Sequence, residues 1–204
     1  MSEGPSRRAA LALLGGGALA LAGCKPQDWY GTDVSGALPD LRFSLSRARD
    51  GKGLTQDDFR GQVVALFFGY TYCPDICPLT LANMVALTDK LGGDAAKLSV
   101  LFVTVDPDRD TPAALSQFVA AFTPRATGLI GTPDQLADVT RRYRVTYKVA
   151  PHAPGATDYA VSHGKTVYVF DGQGKARVIW TEFADATADI DGAAGDVRRI
   201  AAMA

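Results

Sequence analysis

Phe67-Phe68-Gly69-Tyr70-Thr71-Tyr72-Cys73-Pro74-Asp75-Ile76-Cys77-Pro78 is the stretch whose reading decides the fold. The run Val63 to Phe68 is short, β-branched or aromatic, and ends at a glycine, which predicts a buried strand. Pro78 then opens a segment, Leu79 to Leu91, with apolar residues at helical spacing. Proline suits a first helical turn, where its missing N–H costs nothing. Cys73 and Cys77 are therefore expected on a strand-to-helix turn, with Cys77 at the positive end of the helix, where a thiolate is stabilised.

Outward from that turn, the chain alternates strand and helix signals. Leu98 to Val105 reads as a second buried strand. Asp106-Pro107-Asp108-Arg109-Asp110-Thr111-Pro112 follows it, then a helix from Pro112 to Phe122, with Asp110 or Thr111 as its cap. A further helix, Pro133 to Tyr143, starts from Thr132 as N-cap. Val145 to Val149 reads as a short strand and Ala150 to Tyr159 as loop. Thr166 to Phe170 and Ala176 to Trp180 form a hairpin, and Ile190 to Met203 a closing helix. Upstream, Leu41 to Leu45 alternates like an edge strand, and Thr55 to Phe59 is a short helical piece capped by Thr55 and Asp58. The order predicts an α/β, thioredoxin-like sandwich: a central mixed sheet flanked by helices, with a C-terminal hairpin and helix.

The bulk numbers bound the partners. The 204 residues carry a net charge of −1 with 47% hydrophobic content, consistent with one well-filled core. No basic stripe is present, which argues against nucleic acid. Arg7 and Arg8 precede the uncharged run Ala9 to Ala22, which ends in Leu21-Ala22-Gly23-Cys24. This has the layout of a secretory signal, and the run is shorter than the ~20 residues that span a bilayer. Leu-Ala-Gly-Cys also resembles the bacterial lipobox, so residues 1–23 are expected to be a lipoprotein signal peptide, with Cys24 lipidated. Two acyl chains would anchor it stably on the outer face of the cell membrane, facing the periplasm. Residues 24–37 then read as a lipidated tether and 38–204 as the folded domain.

With Cys24 assigned to lipid, Cys73 and Cys77 remain as an even pair. Three residues separate them. If the segment is helical, they share a face, close enough for a disulfide or one soft metal ion. His163, in Val161-Ser162-His163-Gly164 just before the strand Thr166 to Phe170, is expected to face the cysteine turn and complete a two-sulfur, one-nitrogen site suited to copper. Zinc, with four protein ligands, would need His152 as well. His152 sits between Pro151 and Pro154 in a loop and is expected to be exposed. Asp106 lies where open α/β sheets place their sites and is expected to support the metal or the thiols from outside the ligand set. Tyr70, Tyr72, Phe67 and Phe68 are expected to pack around the turn.

Gly69 to Pro78, then Val105 to Pro112, then Tyr159 to Asp171 with His163, resemble the SCO/SenC family from about Leu38 onward. The resemblance implies a thioredoxin-like fold and copper binding, as Cu(I) and possibly Cu(II), through Cys73, Cys77 and His163. It implies assembly of the copper-A centre of cytochrome c oxidase subunit II, alongside a second periplasmic copper carrier and a thioredoxin-like reductant. Family members often carry an acidic residue before the histidine, and here Ser162 stands in that place. The alternative reading is a thiol–disulfide oxidoreductase that keeps the copper-A cysteines reduced without carrying copper, with Cys73 and Cys77 as its redox pair. A peroxiredoxin-like role shares the fold but calls for a differently spaced cysteine.

Overall fold

Every residue of Val63–Gly69 is buried, and the side chains divide by parity. Val63, Ala65 and Phe67 join one apolar cluster, while Val64, Leu66 and Phe68 join another. That is what period-two geometry gives a strand covered on both faces. The computed structural model describes residues 29–203, so the expected signal peptide, Cys24 and the first part of the expected tether lie outside the described residues.

The strands are β1 (Thr32–Asp33), β2 (Ser44–Arg47), β3 (Gly53–Thr55), β4 (Val63–Gly69), β5 (Leu98–Thr104), β6 (Ala126–Ile130), β7 (Tyr147–Val149), β8 (Val161–His163), β9 (Val167–Phe170) and β10 (Ala176–Trp180). Helices are α1 (Ile76–Leu91), α2 (Pro112–Phe122), α3 (Pro133–Arg142) and α4 (Ile190–Ala201). Eight strands make one mixed sheet in the order β1-β10-β9-β4-β5-β6-β2-β3, and β7 and β8 pair separately. The buried residues of α1, α2 and α4 pack on one face of the sheet and those of α3 on the other. This is the thioredoxin-like α/β sandwich expected from the element order.

Several elements start where their caps dictate. Thr111 accepts from the Ala114 amide and opens α2, with Pro112 in its first turn. Thr132 and Gln135 form a reciprocal capping box on α3. Thr55 and Asp58 do the same for the short 3₁₀ turn Gln56–Phe59.

Other boundaries differ from the sequence reading. The strand expected at Leu41 to Leu45 is Ser44–Arg47, and it pairs with both β3 and β6. α1 begins at Ile76, two residues before the segment opened by Pro78, so Cys77 lies within its first turn. β6 is a strand for which the sequence reading makes no provision. Its Gly128 removes apolar signal from the pattern but is needed there, because a Cβ would lie 2.9 Å from Leu115 Cγ.

Residues 29–37, expected in the tether, belong to the domain. β1 pairs with β10, and the buried carboxylate of Asp196 accepts from the amides of Tyr30 and Gly31 and from Trp180 Nε1, each at 3.0 Å. One acid on α4 thus ties the start of the domain to its sheet. Asp196→Ala strands three donors, and the expected cost is about 2–4 kcal/mol in urea unfolding, with early proteolysis near residues 29–33.

Candidate metal centre

Gly69 ends β4, and the chain must turn sharply there to enter α1. A Cβ on residue 69 would run into Cys77 Sγ and sit 2.8 Å from the Phe102 ring, so glycine at this position is what lets the second sulfur lie against the strand end. The Cys73 amide donates to Tyr70 O at 3.2 Å, closing the turn. Cys73 precedes the helix and Cys77 is inside it, and both are buried, Cys77 the more deeply at 1% exposure against 7%.

The turn is held from the neighbouring strand. Asp110, fully buried, accepts from the Thr71 amide at 3.0 Å, from Thr71 Oγ1 at 2.6 Å and from Thr104 Oγ1 at 2.5 Å. Burial pushes its carboxyl up from the ordinary range, and the Thr104 and Thr71 bonds pull the other way. Of the two residues expected as the helix cap, Asp110 or Thr111, it is Thr111 that takes the role, and Asp110 braces the cysteine turn.

His163 ends β8 and pairs with Tyr147. Its Nδ1 lies 2.8 Å from Gly164 O, and since a carbonyl only accepts, Nδ1 carries the proton. The other ring nitrogen, Nε2, sits 3.3 Å from Cys77 Sγ. The Tyr70 ring meets the imidazole edge-on at 5.6 Å and fixes its plane. Cys73, Cys77 and His163 each present a ligand atom, all within 4.8 Å of one another. The sequence-predicted triad is brought together as a group.

Both cysteines are free thiols in this structure, and their environments pull them apart. The hydrogen bond from Cys77 lowers the Cys73 thiol far below the ordinary range against the opposing effect of burial, with the His163 side chain and the backbone amides of Asp75 and Cys77 assisting. The same bond, seen from the other side, raises Cys77, and burial raises it further. The two thiols are thus set apart, Cys73 toward its charged form and Cys77 toward its neutral one.

The remaining candidates fall elsewhere. Asp106 is buried and bonds Arg109 Nε and Tyr159 OH, both at 2.5 Å; none of its hydrogen bonds reaches a sulfur or His163. His152 is not exposed: its ring stacks on Tyr159 at 3.7 Å, and Nε2 meets Asp108 at 3.3 Å. Phe67, Phe68 and Tyr70 are buried, whereas Tyr72 is 56% exposed beside Cys73. Sequence reasoning missed Asp110 as the brace and Arg109 as a partner of three tyrosine rings. The only available signal was the density of charged residues between β5 and α2.

A thioredoxin-fold protein with an open pair of thiols and one imidazole is the class that fold and geometry define. The chain belongs to the SCO1/SenC family, whose family model matches residues 37–202. It is 43% identical over 134 residues to a mitochondrial SCO2 homologue of Bos taurus, covering 65% of this chain and 50% of that one. It is 36% identical over 135 residues to the mitochondrial SCO1 homologue of Homo sapiens, covering 65% and 44%. The chain therefore spans about half the length of the curated relatives it matches. Among solved structures it resembles Bradyrhizobium japonicum ScoI with copper bound, at 33% identity and a TM-score of 0.69, covering 79% of this chain and 98% of that one. It also resembles apo Sco1 from Thermus thermophilus, at 29% identity and a TM-score of 0.72, covering 84% and 96%.

Two outcomes follow from this geometry. Alkylation by iodoacetamide should fall on Cys73 ahead of Cys77. A lowered pKa keeps the thiolate present, so the rate at Cys73 should hold nearly level from pH 8 to 6, where an ordinary thiol slows about tenfold per pH unit. Gly69→Ala should displace the Cys77 sulfur and cost about 1–3 kcal/mol in denaturant unfolding.

Proposed function

We propose that this chain is a copper metallochaperone, with Cys73, Cys77 and His163 as its ligands and copper as its cargo. The observation that carries the reading is the donor set itself: two sulfurs and a ring nitrogen within 4.8 Å of one another. Soft thiolates select Cu(I), and the imidazole gives the site some tolerance for Cu(II). Three protein ligands leave the ion approachable, so a recipient's thiols can displace them one at a time. Binding at neutral pH expels the proton from Cys77 and leaves both sulfurs as thiolates.

The recipient in this reading is the copper-A site of cytochrome c oxidase subunit II. This recipient is what the family resemblance implies; a copper-bound ScoI among the structural neighbours supports the cargo, and a SCO1/SenC family lipoprotein from Bacillus anthracis supports the anchoring below. Lipidation at Cys24, with residues 1–23 removed, would hold the protein at the periplasmic face of a bacterial membrane. The support for this is the Leu-Ala-Gly-Cys sequence. Among the described residues no helix is long and apolar enough to cross a membrane.

One observation favours a second reading, a thiol–disulfide reductase. Cys73 is poised as a thiolate beside a protonated, buried Cys77. The Cys73 thiolate would attack a partner disulfide and expel one partner sulfur; Cys77, losing its proton, would resolve the mixed disulfide. The partner gains two electrons, and this chain ends with Cys73 and Cys77 joined, to be reduced again by a thioredoxin-like protein.

Anaerobic Cu(I) competition titrations distinguish the readings. Wild-type protein is expected to bind one copper and release about one proton at pH 7. The double variant Cys73→Ser/Cys77→Ser should lose binding. His163→Ala should weaken Cu(I) binding by about tenfold or more while leaving dithiol reduction of a model disulfide intact. Equal copper binding by wild type and the double serine variant would refute the site.

A further inference from the structure

His163 is not on the main sheet. It stands on β8, whose strand pairing is with the three-residue β7, and the two are joined by residues 150–160, which form no regular element. A pair this small does not hold itself in place. Something on the body of the fold must therefore fix where the imidazole sits.

The contacts that do so converge on the turn after β5. Arg109 Nη1 donates to Thr157 O at 3.1 Å and Tyr159 O at 3.0 Å, gripping the backbone just ahead of β8. Its Nε is paired with Asp106, and Asp106 in turn accepts from Tyr159 OH. The guanidinium carbon lies 3.9 Å from the Tyr159 ring centre, 5.0 Å from Tyr72 and 5.5 Å from Tyr70. The side chain is only 6% exposed, and its Nη2 has no hydrogen-bond partner. A buried charge held this way is costly to keep, which argues that its several contacts act as a unit. Tyr70, in contact with both Arg109 and His163, donates to Val161 O at 3.0 Å and completes the link to β8.

We propose that Arg109, with Asp106 and Tyr159, is a positioning latch that sets the His163 ring against the two sulfurs without contributing a ligand. Arg109 touches the arm at Thr157 and Tyr159 and the cysteine turn through Tyr70 and Tyr72, so it holds both halves of the centre in one register. Lysine cannot replace it, because a single ammonium supplies neither the planar face over the rings nor the fork that reaches Asp106 and two carbonyls together. The inference rests on the copper-carrier reading for its affinity readout, and on the metal-free protein alone for its structural one.

The test combines hydrogen exchange with a double-mutant cycle. In metal-free Arg109→Gln, amides of residues 157–163 should exchange about tenfold faster or more, with those of β4 and β5 unchanged. Tyr159→Phe, which removes one hydroxyl and keeps the ring, should do the same to a smaller extent in a fully folded protein. In Cu(I) competition, Arg109→Gln should weaken binding by about tenfold, and Arg109→Gln/His163→Ala should bind no more weakly than His163→Ala alone. Arg109→Lys should fail to restore affinity. Unchanged exchange in the arm of both variants overturns the latch, as does an affinity loss that adds in full to that of His163→Ala. A wild-type protein that binds no copper would instead defeat the carrier reading and leave the exchange measurement to decide the latch.

Discussion

The parallel pairing of β4 with β5 is the constraint from which the centre follows. The register runs without a slip from Val63 opposite Leu98 to Gly69 opposite Thr104, so the two strands end level with each other. Their following turns, one carrying the cysteines and the other the acidic run, are thereby forced side by side. Asp110 stitches them through Thr71 and Thr104. Without that shared level, neither Asp110 nor Arg109 would face the cysteine turn, and β8 would have nothing to lean on.

The chemistry inherits an asymmetry from this arrangement. Cys77 is pressed between the strand end and the helix it begins, out of water and beside the negative Asp110 and Cys73. Cys73 sits at the mouth, where helix-end amides and the Cys77 proton favour its charge. A dithiol of this kind keeps one reactive sulfur ready and one in reserve, and both proposed activities draw on that difference. The imidazole adds the third donor with its tautomer already set by Gly164.

Much of this was legible in the chain. The Val63 to Phe68 run, the strand Leu98 to Val105, the helix opened by Pro112 and the Thr132 cap each carry a strong local signal, and each stands where the signal put it. The two cysteines and His163 could be placed together because the element order already dictated which turns meet. Elements that depend on distant partners were hidden. β6 is interrupted by Gly128, whose small size answers to Leu115 on α2. β1 is two exposed residues whose place is fixed by Asp196, over 160 positions away in the chain. The bracing role of Asp110 was hidden for the same reason, since spacing shows that carboxylates cluster but not which one reaches the cysteine turn.

The polarity of β1 has a mechanical consequence. β4 runs toward the rim that bears the sulfurs, β9 runs back from it, β10 returns toward it, and β1, antiparallel to β10, runs away again. The polypeptide thus comes into the sheet from the sulfur-bearing rim rather than from the far side. Anything that grips the chain ahead of residue 29 would therefore pull on the edge that bears Cys73 and Cys77, and not on the opposite one.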